Sequence, residues 1–246
     1  MEPQQILVVA GAYFLAGFVK GLAGLGFSTT ALPFLVLALG LKAALPLVII
    51  PSIASNLMVM RSAGEFRRTF RRFWLLYVAA VPGLLIGLRL LSVLDPRNST
   101  AVLGTVLILY CGLALAQPNL RLPMRLAWPW SGPVGFVTGI VNGLTGSQVI
   151  PVLPFLLSLH LETNRFLQAT NSFFTMSSLV MGVGLTTLGL MTPNAVAASL
   201  AGLVPVWLGI RAGAAARRSL SPQGFRTGVL LVLALLGASL LFSPSI

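Results

Sequence analysis

Long apolar runs separated by short polar links dominate the pattern of hydrophobic and polar positions in this sequence. The runs cover residues 5–40, 43–61, 73–94, 99–117, 128–159, 166–190, 194–212 and 225–243. Most of them have about the 20 residues that a helix needs to cross the hydrocarbon core of a bilayer. The pattern therefore predicts an all-α polytopic membrane protein.

Two of the runs, 5–40 and 128–159, are too long for one transmembrane helix. A single helix over 5–40 would be about 50 Å long, whereas the hydrocarbon core is roughly 30 Å thick. Glycines interrupt both runs near their middle, at Gly21–Gly26 and at Gly143–Gly146. Each run is therefore predicted to form a hairpin of two helical arms around a glycine-rich break.

The two breaks resemble each other, which indicates an internal repeat. Residues 17–24 and 139–146 are identical at five of eight positions, and Pro33-Phe34-Leu35 recurs as Pro154-Phe155-Leu156. The alternative is chance similarity between segments rich in glycine and leucine. A repeat of this length predicts two homologous halves, a common design among transporters.

Each predicted half contains one hairpin and three transmembrane helices. The first half, 1–120, holds the hairpin 5–40 and helices 43–61, 73–94 and 99–117, and the second, 121–246, holds the hairpin 128–159 and helices 166–190, 194–212 and 225–243.

The basic residues indicate how the halves are oriented. If both hairpins return to the side where they start, twelve basic residues lie inside and three outside, whereas single crossings would put seven inside and eight outside. Basic residues prefer the cytoplasmic side, so the first arrangement is favoured. The inside set is Arg61, Arg67, Arg68, Arg71, Arg72, Arg121, Arg125, Arg165, Arg211, Arg217, Arg218 and Arg226, and the outside set is Lys42, Arg89 and Arg97. The halves are therefore predicted to have inverted topology, with both termini outside.

Composition excludes several classes of protein. Hydrophobic residues make up 57% of the 246 positions and charged residues only 8%. A soluble domain carries about 25% charged residues, and disorder needs low hydrophobicity. The excess of 16 basic over 4 acidic residues is therefore attributed to membrane topology, and nucleic acid is not expected as a partner.

The chain has few residues that could support catalysis. Its four acidic residues, Glu2, Glu65, Asp95 and Glu162, all lie at the edges of apolar runs. Paired-carboxylate catalysis and intramembrane proton relays are therefore not expected. The single Cys111 cannot form an intrachain disulfide or a cysteine metal cluster. We expect no enzyme, no metal and no cofactor.

Lys20 is the most informative single residue. It lies one turn before the first break, inside an apolar run and far in sequence from any carboxylate. A desolvated charge at this depth costs about 3 kcal/mol or more, so an anionic substrate is a candidate counter-charge. The alternative is that the amine reaches the membrane surface. Its counterpart in the repeat is the neutral Asn142.

The breaks themselves predict an anion site. The second arm of each hairpin is expected to begin at the break, with Ser28 and Thr29 in one half and Ser147 and Gln148 in the other. The free N–H groups of two helix N-termini would face an anion there, or the hydroxyls could only cap the helices. Three glycines would let the backbone approach the ligand: Gly24, Gly26 and Gly146.

A second polar group follows each hairpin. Ser52 and Asn56 share a helix face with Ser55, and Asn171 shares one with Thr175 and Ser178. Ser172 follows Asn171 directly. We expect Ser52, Asn56, Asn171 and Ser172 to line the site, although small polar residues also join membrane helices without a ligand.

The repeated Gly-Leu-x-Gly motif and the two Pro-Phe-Leu segments resemble those of the TauE/SafE sulfite exporter family over nearly the whole chain. The resemblance implies a bacterial or archaeal inner-membrane protein that transports sulfite, sulfonates or other small sulfur anions. We therefore expect a secondary transporter that exports such an anion by alternating access, with a small anion and membrane lipids as partners. Import, a channel, or a membrane assembly subunit without transport are the alternatives, and the oligomeric state stays open.

Overall fold

The computed structural model describes residues 2–116, 120–217 and 222–242, and its regular elements in these ranges are all helical. The α-helices are α1 Pro3–Ala23, α2 Phe27–Leu39, α3 Leu41–Ala63, α4 Phe66–Val93, α5 Pro96–Ala116, α6 Ala127–Thr145, α7 Val152–Ser158, α8 Thr163–Thr187, α9 Pro193–Ala201, α10 Leu203–Ala216 and α11 Pro222–Phe242. A short 3₁₀ helix, Met124–Leu126, precedes α6. The predicted helix ends at 117 and 243 and the basic residue Arg218 lie outside the described residues.

Within these ranges, six segments are long and apolar enough to cross a membrane. They are Pro3–Ala23, Leu41–Ala63, Phe66–Val93, Pro96–Ala116, Pro193–Ala216 and Gly224–Phe242. Large apolar side chains such as Leu7, Val183 and Leu235 are exposed on the outside of the bundle, as expected for surfaces that face lipid. The prediction of an all-α, multi-pass membrane protein is confirmed.

Both long apolar runs are interrupted at the predicted glycines. Gly24 and Gly26 have φ angles of 77° and 95°, and Gly146 has a φ angle of 77°. Residues with a Cβ atom rarely adopt this left-handed conformation, so glycine allows each first arm to end sharply. The break after α1 is short, and α2 starts directly at Phe27.

The second break differs from the prediction. Ser147 and Gln148 do not begin a helix, because α7 starts only at Val152 and has seven residues. The segment between Gly146 and Pro151 is not helical. A proline disfavours helical geometry in the residue before it, here Ile150, which delays the start of the helix. The expected pair of facing helix N-termini is therefore wrong for the second half.

Two other helices have unexpected bounds. α4 begins at Phe66, seven positions before the apolar run, since arginines are good helix formers outside the membrane. The predicted helix 194–212 is divided at Gly202 into α9 and α10. The ring of Tyr13 packs where a Cβ atom of residue 202 would lie. Pro205 also cannot donate the hydrogen bond that would close the preceding turn.

Helices from the two predicted halves are interleaved. α1 packs along α10, α6 packs along α4, α3 packs against α8, and α5 packs against α11. In the α1–α10 pair, Gly17 and Gly21 face backbone atoms of α10, while Gly209 and Gly213 face backbone atoms of α1. Glycines make the same close approach in the α6–α4 pair: Gly83, Gly87, Gly135, Gly139 and Gly143. Small residues in this spacing let membrane helices pack backbone against backbone.

Candidate functional site

Lys20 lies in the middle of a buried polar cluster. Its side chain is 1% exposed, and its Nζ donates hydrogen bonds to Asn56 Oδ1 and to Asn171 Oδ1, each at 2.5 Å. The three residues come from α1, α3 and α8, so both predicted halves contribute. Burial inside the bundle excludes, for this conformation, the alternative in which the amine reaches the membrane surface.

The ammonium group of Lys20 has only neutral partners among the described residues. Among the described residues, ion pairs join Arg165 to Glu65, at 3.8 Å, and to Glu162, at 3.6 Å. Neither pair includes Lys20. Two amide oxygens offset only part of the several kcal/mol that an uncompensated buried charge costs. An ammonium group at this position is therefore uncompensated by the protein, and an anion would stabilise it.

Serine hydroxyls extend the cluster from Asn56 towards the first break. Asn56 Nδ2 lies 3.5 Å from Ser52 Oγ, and Ser28 Oγ donates to Ser52 Oγ at 3.0 Å. Ser28 is the second residue of α2, so the hydroxyls meet at the N-terminus of the second arm. The positive end of a helix dipole favours negative charge at such a position.

The second half joins the same cluster through Ser178 and Gln148. Ser178 Oγ lies 3.4 Å from Ser52 Oγ, and Gln148 Nε2 donates to Ser178 Oγ at 3.0 Å. We call the connected set the Lys20 cluster: Lys20, Ser28, Ser52, Asn56, Gln148, Asn171 and Ser178. These side chains are buried apart from the half-buried Ser28, so the cluster is closed to solvent in this conformation.

Asn171 also fixes the first break in position. Its Nδ2 donates to the carbonyl oxygens of Gly24, at 3.2 Å, and Leu167, at 2.8 Å. The glycine lies at the end of α1 and belongs to the other predicted half. Gly26 precedes α2, and its carbonyl accepts from the N–H of Thr30. A single side chain therefore connects α8 to the break and to Lys20 at the same time.

Several predicted site residues lie outside this hydrogen-bonded set. Thr29 is buried in the first turn of α2. Ser172 is buried and accepts from Gln168 Nε2 at 3.2 Å. Gly146 ends α6 in a left-handed conformation. These residues lie within one or two positions of cluster members in the sequence, and their side chains take no part in the cluster's hydrogen bonds.

Two further predicted residues are buried, and their side-chain polar atoms have no hydrogen-bond partner among the described residues. Asn142 is 0% exposed, and neither its Oδ1 nor its Nδ2 is paired. Ser147 Oγ is also unpaired, as is the Oε1 atom of Gln148. Leaving such a group unpaired costs about 1–3 kcal/mol, so these atoms mark a place where a polar ligand or water would be stabilised.

Sequence analysis missed the roles of Ser178 and Arg217. Ser178 lies on the same face of α8 as Asn171, seven positions later, and this spacing was the available signal. Arg217 was predicted only to lie on the cytoplasmic side, and it directly follows α10. Its Nε donates to Leu22 O at 2.9 Å, and its Nη2 donates to Gly21 O at 2.8 Å. It therefore holds the carbonyl end of α1 immediately after Lys20, and no local pattern indicates this contact.

One comparison with known proteins agrees with the family resemblance that the sequence motifs indicate. The family model described as "Sulfite exporter TauE/SafE" matches residues 9–240, nearly the whole chain. No curated protein and no solved structure matches the chain. The matched range includes every residue of the Lys20 cluster.

Proposed function

The chain belongs to the TauE/SafE sulfite exporter family, and on this premise we propose that it exports a small sulfur oxyanion, such as sulfite, across the cytoplasmic membrane. The proposal places the substrate at the Lys20 cluster, between the two predicted halves. The family supports transport of an anion, and the cluster supplies the chemistry that would recognise one.

One observation carries the proposal, which is the burial of the Lys20 amine among neutral partners. The ammonium group is buried, and its two partners are the neutral amide oxygens of Asn56 and Asn171. An ammonium group has three N–H donors, so one donor is left for a ligand after these two bonds. A bound oxyanion would neutralise the charge, and the serine hydroxyls and the N-terminus of α2 would donate further hydrogen bonds.

Helix contacts support the proposed repeat of two halves. In the repeat, α1 corresponds to α6, α3 to α8, α4 to the α9–α10 pair, and α5 to α11. If each helix is replaced by its counterpart in the other half, the α1–α10 contact becomes the α6–α4 contact, which is also present. The α3–α8 and α5–α11 contacts each join a helix to its own counterpart, so they are unchanged by the exchange. We propose that the halves rock about the Lys20 cluster, so that the closed conformation opens to each side in turn.

The proposed energetics are those of a uniporter. Lys20 is the charged member of the cluster, so the site holds no carboxylate to carry a coupling proton. A membrane potential that is negative inside assists anion export by about 2.3 kcal/mol per charge per 100 mV. The twelve inside and three outside basic residues support an orientation with both termini outside the inner membrane. We propose no catalytic step.

A binding screen tests the proposed site. The purified protein is titrated with sulfite, thiosulfate and an alkyl sulfonate at one ionic strength, and heat of binding and thermal unfolding are recorded. We expect saturable binding of at least one of these anions with a rise in the melting temperature. Binding that is unchanged in Lys20→Ala would contradict the site, and Lys42→Ala serves as the control because it removes one lysine outside the cluster.

A further inference from the structure

A basic cleft lies at the start of α4, apart from the Lys20 cluster. It has a volume of about 560 Å³ and is lined by Arg68, Arg71 and Arg72 of α4 and by Arg165 of α8. Met124 and Leu161 form its apolar wall. Two separate helices therefore direct four guanidinium groups to one cleft.

The placement of these arginines is unfavourable without an anion. α4 begins at Phe66, so Arg68 lies in its first turn, at the positive end of the helix dipole, and Arg71 and Arg72 lie in the second turn beside it. Cations near a helix N-terminus are destabilised, whereas anions are favoured there. The two nearby carboxylates pair with Arg165 and not with the arginines of α4. Glu65 lies 3.8 Å and Glu162 lies 3.6 Å from the Nε atom of Arg165. The arginines of α4 are left without a carboxylate among the described residues.

A buried hydroxyl supplies a second, independent observation. Thr69 lines the cleft and is 3% exposed, yet its Oγ1 has no hydrogen-bond partner in the part of the chain that the structure describes. A buried hydroxyl without a partner costs about 1–3 kcal/mol. A ligand with acceptor oxygens in the cleft would pair with this hydroxyl and with the guanidinium groups together.

Aromatic residues locate the cleft at the membrane surface. Phe66, Phe70 and Trp74 follow one another at intervals of four along α4, and all three are exposed. The rings of Phe66 and Phe70 are 5.5 Å apart. Exposed aromatic rows are typical of the boundary between hydrocarbon and water. The cleft arginines occupy the same turns of α4, on its other face, and therefore lie at the level of the lipid headgroups.

From these observations we infer that the cleft binds the phosphate group of an anionic phospholipid. Arginines match the geometry of phosphate oxygens in bidentate pairs, and Thr69 adds a donor from inside. A lipid is favoured over a free anion because the apolar run of α4 begins at Phe73, which itself lines the cleft, so the site adjoins the apolar layer of the membrane. The inference does not depend on the transported substrate.

The test compares phospholipids with different headgroup charge. Full-length protein is placed in nanodiscs of phosphatidylcholine to which phosphatidylglycerol is added stepwise, and the melting temperature is measured. We expect phosphatidylglycerol to raise the melting temperature in a saturable way. A hydrogen bond to a charged group contributes about 1.5–3 kcal/mol, so Arg68→Gln or Arg71→Gln should raise the half-saturating lipid fraction about tenfold or more. Thr69→Val should weaken the response while keeping every charge.

Two comparisons decide the outcome. In phosphatidylcholine alone, Arg68→Gln should not lower the melting temperature, because it removes a cation from the first turn of α4, at the positive end of the helix. Arg61→Gln, which removes an exposed arginine outside the cleft, should leave the half-saturating fraction unchanged. Equal effects of Arg61→Gln and Arg71→Gln would overturn the inference in favour of general surface attraction. Inorganic phosphate that reproduces the full effect would overturn it in favour of a free-anion site.

Discussion

The Nζ atom of Lys20 lies 2.5 Å from Oδ1 of Asn171, although 151 positions separate the two residues along the chain. This contact joins the end of α1 to the middle of the second half, and the same asparagine holds the carbonyl of Gly24. The charge, the break and the interface between the predicted halves therefore meet in one place. Movement of α1 relative to α8 would break the contact, which couples the charged site to the arrangement of the halves.

Replacing Lys20 by methionine should separate ligand binding from folding. Methionine keeps much of the side-chain length and removes a buried charge, so the anion-free protein should melt at the same temperature or higher. The rise in melting temperature with sulfite should disappear. Thermal unfolding with and without sulfite measures both effects, and Lys42→Met is the matched control. A rise in melting temperature with sulfite that persists in Lys20→Met would contradict the prediction.

Replacing Asn56 by aspartate should place an internal counter-charge beside Lys20. The carboxylate is nearly isosteric with the amide, and the neighbouring Ser52 hydroxyl can donate to it, so the ion pair should form without repacking. We expect a higher melting temperature without anion and an affinity for sulfite that is at least about tenfold weaker, or roughly 1.4 kcal/mol. Calorimetric titration measures the affinity. Asn194→Asp, at an exposed position in α9, is the control, and equal affinity in both variants would contradict the prediction.

Replacing Gly21 by alanine should disrupt the contact between α1 and α10. A Cβ atom at this position would collide with the backbone carbonyl of Ile210, which cannot move like a flexible side chain. Overpacking of this kind costs about 1–3 kcal/mol, so the melting temperature should fall by several degrees. Gly112→Ala is the control, since a Cβ atom there meets nothing within 4 Å. Equal melting temperatures for the two variants would argue against close packing at Gly21.

Replacing Arg217 by glutamine should loosen the end of α1. Its guanidinium group donates to the carbonyls of Gly21 and Leu22 at the negative end of the helix dipole. A cation at this position contributes about 1 kcal/mol, so a modest loss of stability is expected. Hydrogen exchange of the amides at 21–26 should become faster, whereas Arg211→Gln should leave it unchanged. Unaltered exchange in Arg217→Gln would contradict a role for this residue at the break.

Much of this arrangement could be predicted from local sequence patterns. Only glycine readily adopts the left-handed conformation, so Gly24, Gly26 and Gly146 marked where the helices end. An isolated charge in an apolar run marked Lys20. The bounds of α4 were predicted poorly, because hydropathy detects the span inside the membrane and not the charged turns beyond it.

The remaining features depend on contacts between distant residues. Asn56 and Asn171 both accept from Nζ of Lys20 because three helices pack together at this point. Local sequence patterns do not predict which helices pack against each other. The contact of Arg217 with α1 has the same origin. The late start of α7, in contrast, has a cause in the local sequence. Pro151 disfavours helical geometry in the preceding residue, Ile150.

Potential-driven flux measures the central claim, which is that Lys20 provides the charge that binds the transported anion. Proteoliposomes loaded with sulfite are given an inside-negative potential with K⁺ and valinomycin, and sulfite efflux is followed with and without Na⁺. We predict efflux that depends on the potential, needs no Na⁺, is lost in Lys20→Ala and is retained in Lys42→Ala. Sulfite affinity and efflux in Lys20→Ala equal to those of the unchanged protein would contradict the claim.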